Sequence, residues 1–169
     1  MSDAADIRDR IRLVSLDCDG VMTDGTLYYG EDGRQWRAFH VHDGVGIRML
    51  IEAGIEVAFV TASRTEAIER RAETLGVPHC LVGVGDKREA LAGLCARLGI
   101  GFDAVAHIGD DLNDLPVLEA VALPATVPNA VPAVRAAARF TTGRSGGEGA
   151  VREFAEWLLD ARAQTGERR

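Results

Sequence analysis

Apolar and polar positions alternate in blocks along this chain. Short, nearly continuous apolar runs at 12–17, 56–61, 80–82, 104–109 and 121–124, with a weaker one at 139–141, read as strands. Between them, apolar residues recur at helical spacing over 44–53, 65–75, 87–98, 112–120, 131–137 and 149–163. Gly54, Gly76 and Gly99 follow three of these stretches, where a left-handed helix cap is expected. Strands apolar on both faces that alternate with helices predict an α/β fold with a doubly wound parallel sheet. The tail at 164–169 reads as frayed.

One stretch breaks the rhythm. From 26 to 41, two alternating segments that carry both tyrosines, one tryptophan and one phenylalanine flank a turn at Gly30–Gly33. This predicts a β-hairpin inserted after the first strand, over about 24–42. Two strands alone are marginal in water, so the ribbon packs on the body or on another subunit, unless it is an ordinary surface hairpin.

Bulk properties narrow the field. A chain of 169 residues is expected to form one domain, 1–169, with a core that needs no staples. The net charge of −7 argues against a nucleic-acid partner and against an anionic membrane face. An anionic substrate would then need a bound cation and a few placed Lys or Arg residues. Cys18, Cys80 and Cys95 are odd in number and widely spaced, which favours a reducing cytoplasm over a zinc site. No apolar run reaches the ~18 residues that span a bilayer, and the polar start of the chain has no signal-peptide core. The expected location is cytoplasmic.

The chemistry sits at strand ends, where ligands of open α/β sheets bind. The first strand closes on Asp17-Cys18-Asp19. Positions i and i+2 of an extended segment point the same way, so both acids face one point while Cys18 packs beneath. Two such carboxylates call for a divalent metal or a shared proton, unless they only form a solvated turn. The next strands end at Thr61-Ala62-Ser63-Arg64, at Gly83-Val84-Gly85-Asp86 leading to Lys87, and at Gly109-Asp110-Asp111-Leu112-Asn113-Asp114. Singly, each has a bland reading: Asp110, Asp111 and Asp114 as helix caps, Lys87 as a solvated charge, Thr61 as a strand-end hydroxyl. Gly83-Val84-Gly85 is not a phosphate-binding P-loop, since no Gly-Lys-Ser/Thr comes after it. Together, in this order, they form a set suited to moving a phosphoryl group from an ester to water through an aspartyl-phosphate, with Mg²⁺ on the carboxylates.

These motifs resemble the four of the haloacid-dehalogenase-superfamily phosphatases, over nearly the whole chain. Segments 17–25, 39–48, 109–114 and 146–153 are similar to the small, capless branch. That branch includes the 3-deoxy-D-manno-octulosonate 8-phosphate phosphatases and the nonulosonate (N-acylneuraminate and KDN) 9-phosphate phosphatases. The resemblance implies a Rossmann-like core without a large cap domain. It also implies Asp17 as nucleophile and Asp19 as acid/base. Mg²⁺ would be held by Asp17, the Asp19 carbonyl and Asp110, with Asp111 and Asp114 in support, and the phosphate by Thr61 and Lys87. Members of this branch are homotetramers, and the hairpin then stands in for the cap between subunits. The implied substrate is a 2-keto-3-deoxy sugar acid phosphate, the octulosonate before the nonulosonates. Thr74 and the non-acidic Ser63 match the octulosonate form, whereas Gly146-Gly147-Glu148-Gly149 departs from its usual Gly-Gly-Arg-Gly and Thr61-Ala62 from Thr-Gly. Arg64 and Arg152 are candidates to grip the sugar-acid carboxylate.

Two other classes fit parts of the pattern. A signalling receiver domain also gathers carboxylates, Thr and Lys around Mg²⁺, but its acceptor Asp would end an internal strand, where Thr61 stands here. A non-catalytic partner of a sugar cytidylyltransferase would have no need of the full set of catalytic side chains present.

Overall fold

The computed structural model describes residues 7–166. Among them, six strands pair in parallel: β1 (Leu13–Leu16), β4 (Glu56–Val60), β5 (His79–Leu81), β6 (Val105–Gly109), β7 (Leu123–Thr126) and β8 (Phe140–Thr141). They form one sheet in the order β5-β4-β1-β6-β7-β8. A separate antiparallel pair, β2 (Tyr28–Tyr29) and β3 (Gln35–Trp36), is the expected hairpin, with Tyr28 opposite Trp36. No large cap is present among the described residues.

Five helices lie between the strands, α1 (Val41–Glu52), α2 (Glu66–Leu75), α3 (Lys87–Leu98), α4 (Leu115–Leu118) and α5 (Pro132–Ala137), and α6 (Ala150–Gly166) follows β8. The alternation of side chains along the strands sorts the core into two halves. Val14, Leu16, Val57, Phe59, Ala106 and Ile108 meet Ile47, Leu50, Ile68, Phe154 and Leu158 from α1, α2 and α6. On the other face Leu13, Ala58, Val60 and Val105 meet Leu91, Leu94 and Cys95 of α3. Both faces are therefore covered, which is why the strands read as unbroken apolar runs. Cys18 is fully buried in the first half, away from the acids that flank it.

Several boundaries differ from the sequence reading for identifiable reasons. α1 begins three residues before the expected 44, because the His40 side chain accepts the His42 N–H and caps it. The helix expected over 112–120 splits. Asp111 and Asp114 form a reciprocal cap around a 3-10 turn at Leu112–Asp114, and Pro116 opens a separate short helix. The strand expected at 121–124 starts at Leu123, since the N–H of Val121 still closes a turn on the Val117 carbonyl. α6 continues to Gly166, past the expected 163, while residues 167–169 of the supposed tail lie outside the described residues. Gly76 and Gly99 are left-handed helix caps, and Gly54 takes a positive φ just after α1.

The β1–β6 boundary is where connections leave in opposite directions, towards β4 on one side and β7 on the other. A crevice forms there at the carboxyl ends of the strands. None of the described helices is long and apolar enough to cross a membrane.

Candidate active site

Leu13, Ser15 and Asp17 share one face of β1 and its extension, the face that α3 covers. Parallel pairing of β1 with β6 sets Ser15 beside His107. The first residue of α3, Lys87, enters the same layer from above. The result is a buried polar chain that continues the apolar core outward. Ser15 Oγ lies 2.9 Å from His107 Nδ1, and His107 Nε2 lies 3.0 Å from Asp114 Oδ1. Lys87 Nζ donates to Asp114 Oδ1 at 2.7 Å and sits 3.0 Å from Asp17 Oδ1.

Asp114 is the hub of this chain. Its Oδ2 accepts the backbone N–H groups of Asp110 and Asp111 at 3.1 and 3.3 Å, while Oδ1 faces His107 and Lys87. Burial alone would raise its pKa, but His107 and Lys87 outweigh that and hold the carboxyl well below its usual range. Asp17 goes the other way. Burial first and the neighbouring Asp114 charge second push it up to about 8, with Lys87 only partly offsetting them. Asp110 is likewise pushed up to about 6 by burial and by Asp114. Burial opposes the charge of Lys87, yet Asp17 and Asp114 raise its pKa, so it stays an ammonium.

Two carboxylates held above their normal range, side by side, mark a place for a cation. One oxygen each from Asp17, Asp110 and Asp114 lies within 4.8 Å of the others, and Oδ1 of Asp110 is buried with no hydrogen-bond partner. The Asp110 carboxylate rests against Gly20, whose φ of +88° and lack of a side chain leave it room. Since Asp114 is taken up by four donors, Asp17 and Asp110 are the side chains free to hold a metal. An all-oxygen pair of this kind suits Mg²⁺.

Asp19 lies across the mouth from Asp17, half-buried, in a different environment. Arg37, directly after β3, reaches over it. Its Nε donates to Asp19 Oδ1 at 2.6 Å and its Nη2 to Oδ2 at 3.1 Å. Ser63 Oγ donates to the same Oδ2 at 2.6 Å. Burial raises the Asp19 pKa, but these bonds prevail and the net shift is downward.

A cavity of about 140 Å³ opens between these groups, lined by Asp17, Asp19, Thr61, Ala62, Ser63, Asp110, Asp111 and Asn113. Asp17, Asp19, Thr61, Lys87, Asp110, Asp111 and Asp114 are thus brought together as expected from the strand ends. Arg64 and Arg152 are not. Arg64 lies against Gly83. Arg152 pairs with Glu156 at 2.7 Å and lines a different cavity of about 270 Å³, with His42 and Arg144. Within one chain, neither guanidinium lines the Asp17 cavity.

Three residues of the site escape a reading of the sequence. Arg37 is hidden in the hairpin, although period two places it with Gln35 on the face opposite Trp36. His107 looks like core, being an internal position of a buried strand. Asn129 pins the turn after Asp19 by donating to the Gly20 carbonyl at 2.8 Å while accepting the Gly146 N–H at 2.7 Å. The glycine run at 146–149 packs against that same turn: a side chain at Gly146 would strike the Gly20 carbonyl, and one at Gly147 the Asp24 amide. Glu148, the departure from the usual motif, is not among the residues lining the cavity.

Comparison with known proteins points to one family. A profile of haloacid dehalogenase-like hydrolases matches residues 83–154. The chain is 42% identical over 159 residues to the 3-deoxy-D-manno-octulosonate 8-phosphate phosphatase KdsC of Escherichia coli K12, covering 94% of this chain and 85% of that one. Its fold matches the phosphatase of that name from Moraxella catarrhalis, solved with magnesium, phosphate and KDO, at a TM-score of 0.93. Sequence identity there is 36%, over 100% of this chain and 99% of that one. The cobalt-bound enzyme from Haemophilus influenzae aligns at a TM-score of 0.90 and 35% identity, over 93% and 92% of the two chains. With nearly the full length and the fold in common, this chain belongs to the haloacid dehalogenase-like hydrolases, in their 3-deoxy-D-manno-octulosonate 8-phosphate phosphatase branch.

Proposed function

We propose that this protein is a Mg²⁺-dependent phosphoric monoester hydrolase that releases phosphate from 3-deoxy-D-manno-octulosonate 8-phosphate. The observation that carries the reading is the pairing at the β1 terminus: a buried carboxylate on a lysine at Asp17, and a second one, separately held, at Asp19. Asp17 attacks phosphorus and becomes the phosphoaspartate. Asp19, a carboxylate in the free site, takes up a proton as the anionic substrate enters, gives it to the departing sugar oxygen and takes another from the water that enters next. Lys87 and the Thr61 hydroxyl face the phosphate oxygens, where negative charge spreads in the transition state. Asp114 aims Lys87, and its grip on the 110–111 backbone sets Asp110. Asp17, Asp110 and the Asp19 carbonyl would hold Mg²⁺, with Asp111 in outer support. The ion neutralises phosphate charge when bound.

A phosphate-release screen tests the substrate. Octulosonate 8-phosphate is expected to exceed N-acylneuraminate and KDN 9-phosphates, and all three to exceed hexose phosphates in kcat/KM. A preference for hexose phosphates would remove the substrate assignment and leave the chemistry standing.

Metal binding has its own readout. In the unfolded chain Asp17 ionises near 3.8, but in the folded chain only near 8. The folded state therefore holds protons that the unfolded state has released, and metal-free stability falls as pH rises from about 4 to 8. Asp110 adds to this fall up to about 6. Mg²⁺ takes the place of those protons. The rise in unfolding temperature on adding Mg²⁺ is expected to be larger at about pH 8 than at about pH 5.5. Equal rises at both would show that these carboxylates are not where it binds.

The working form we infer is a cytoplasmic homotetramer of single-domain chains (1–169). Tyr28, Tyr29 and Trp36 are all more than half exposed on the hairpin, beside Val41 at 74%. An apolar patch of that kind on a two-stranded ribbon fits contact with further copies.

A further inference from the structure

Arg37 is the one arginine of the described residues that an ion pair joins to either of the two acids ending β1; it pairs with Asp19, and its side chain is only 1% exposed. It comes from the hairpin, not from the sheet. A carboxylate offers about four acceptor positions. On Asp19, Arg37 fills one on each oxygen, and Ser63 fills the second on Oδ2. The position left open is on Oδ1. Arg37 Nη2 also reaches Ser63 Oγ at 3.3 Å, and Nη1 meets Gln35 Oε1 at 3.4 Å, so the fork is itself held from both sides. The Asp19 side chain thus has a fixed plane and one free acceptor site.

We propose that Arg37, together with Ser63, is the positioning residue that fixes Asp19 for hydrolysis of the phosphoenzyme. The proposal rests on the reading of Asp19 as acid/base. The two half-reactions differ in what needs to be held. In the first, the sugar oxygen is carried by a substrate that has its own contacts. In the second, the nucleophile is a free water, and the open site on Asp19 is what orients it. As the water oxygen bonds to phosphorus, one water proton passes to Asp19. The bond from phosphorus to the Asp17 oxygen breaks, its electron pair returns to the Asp17 carboxylate, and hydrogen phosphate leaves. A mobile Asp19 slows this step more than the first.

The test is rapid-quench kinetics with p-nitrophenyl phosphate, whose nitrophenolate departs with little help from an acid. For Arg37→Ala, a burst of nitrophenol near one per active site is expected. A slow steady state should come after it, with kcat reduced about 10- to 100-fold, and quenched protein should carry phosphate in step with the burst. Arg37→Lys, which restores one donor, should recover part of the rate, and Ser63→Ala should show a smaller burst of the same kind. A purely structural role predicts lower rates with no phosphoenzyme accumulating, and that outcome overturns the proposal. So does a rate at or above wild type. Thermal unfolding of each variant separates misfolding from slow turnover, and Ser63→Ala carries the test if Arg37→Ala does not fold. Asp19→Asn in the same series keeps the two ideas apart. If it turns over normally, the acid/base reading fails; if it is inactive while Arg37→Ala shows no burst, only the role of Arg37 fails.

Discussion

Asp17→Asn is expected to abolish phosphate release, lowering kcat by about 10⁴-fold or more, because an amide cannot become the phosphorylated group. The loss should come without unfolding. Asp17 is 6% exposed, and its charge is opposed by burial and by Asp114. Removing that charge relieves both, and Lys87 keeps its bond to Asp114. In Mg²⁺-free buffer at about pH 8, the unfolding temperature of the variant should therefore not fall below that of the wild type. Retained turnover would rule out covalent catalysis at this residue. Inactivity with a large loss of stability would instead make Asp17 a structural acid.

Lys87→Met should lose stability as well as activity. Lys87 is the cation shared by Asp17 and Asp114, all three nearly inaccessible. Taking one partner from a buried ionic network leaves uncompensated charge and costs about 3–5 kcal/mol. Activity should fall about 10²- to 10³-fold with it, the scale for losing one preorganised charge at a transition state. The two effects separate in a double variant. Adding Asp17→Asn to Lys87→Met removes one of the stranded carboxylates, so denaturant unfolding should show part of the stability restored while activity stays absent. Additive losses of stability would mean that the two side chains do not share an electrostatic network.

Much of this site is legible in the sequence because its information is one-dimensional. Strands buried on both faces leave a continuous apolar signature, and the parallel sheet gathers the residues just past each strand along one edge. Asp17, Thr61, Lys87 and Asp110 can be collected by reading those endings. The short helix near Asp114 is less clear, since its shape depends on a reciprocal side-chain cap and a proline rather than on periodicity. Arg37 is out of reach. Its place over Asp19 depends on how the hairpin folds back on the sheet, and nothing local in Gln35-Trp36-Arg37 specifies that. Arg64 and Arg152 draw attention by their chemistry, but neighbours at Gly83 and Glu156 decide where they lie.

The central place of β1 has a consequence for how the chain reaches its working form. One flank of β1 pairs with β4, but the other waits for β6, so Ser15 meets a partner 92 residues further along. Contacts between residues so far apart close late and slow the search for the native state. During synthesis, the acids ending β1 emerge long before Lys87, Asp110 or Asp114. A nascent chain halted before residue 110 carries Asp17 and Lys87 without Asp114, which holds the lysine from its other side, and without Asp110. The site is complete only once β6 and the turn that follows it stand beside β1.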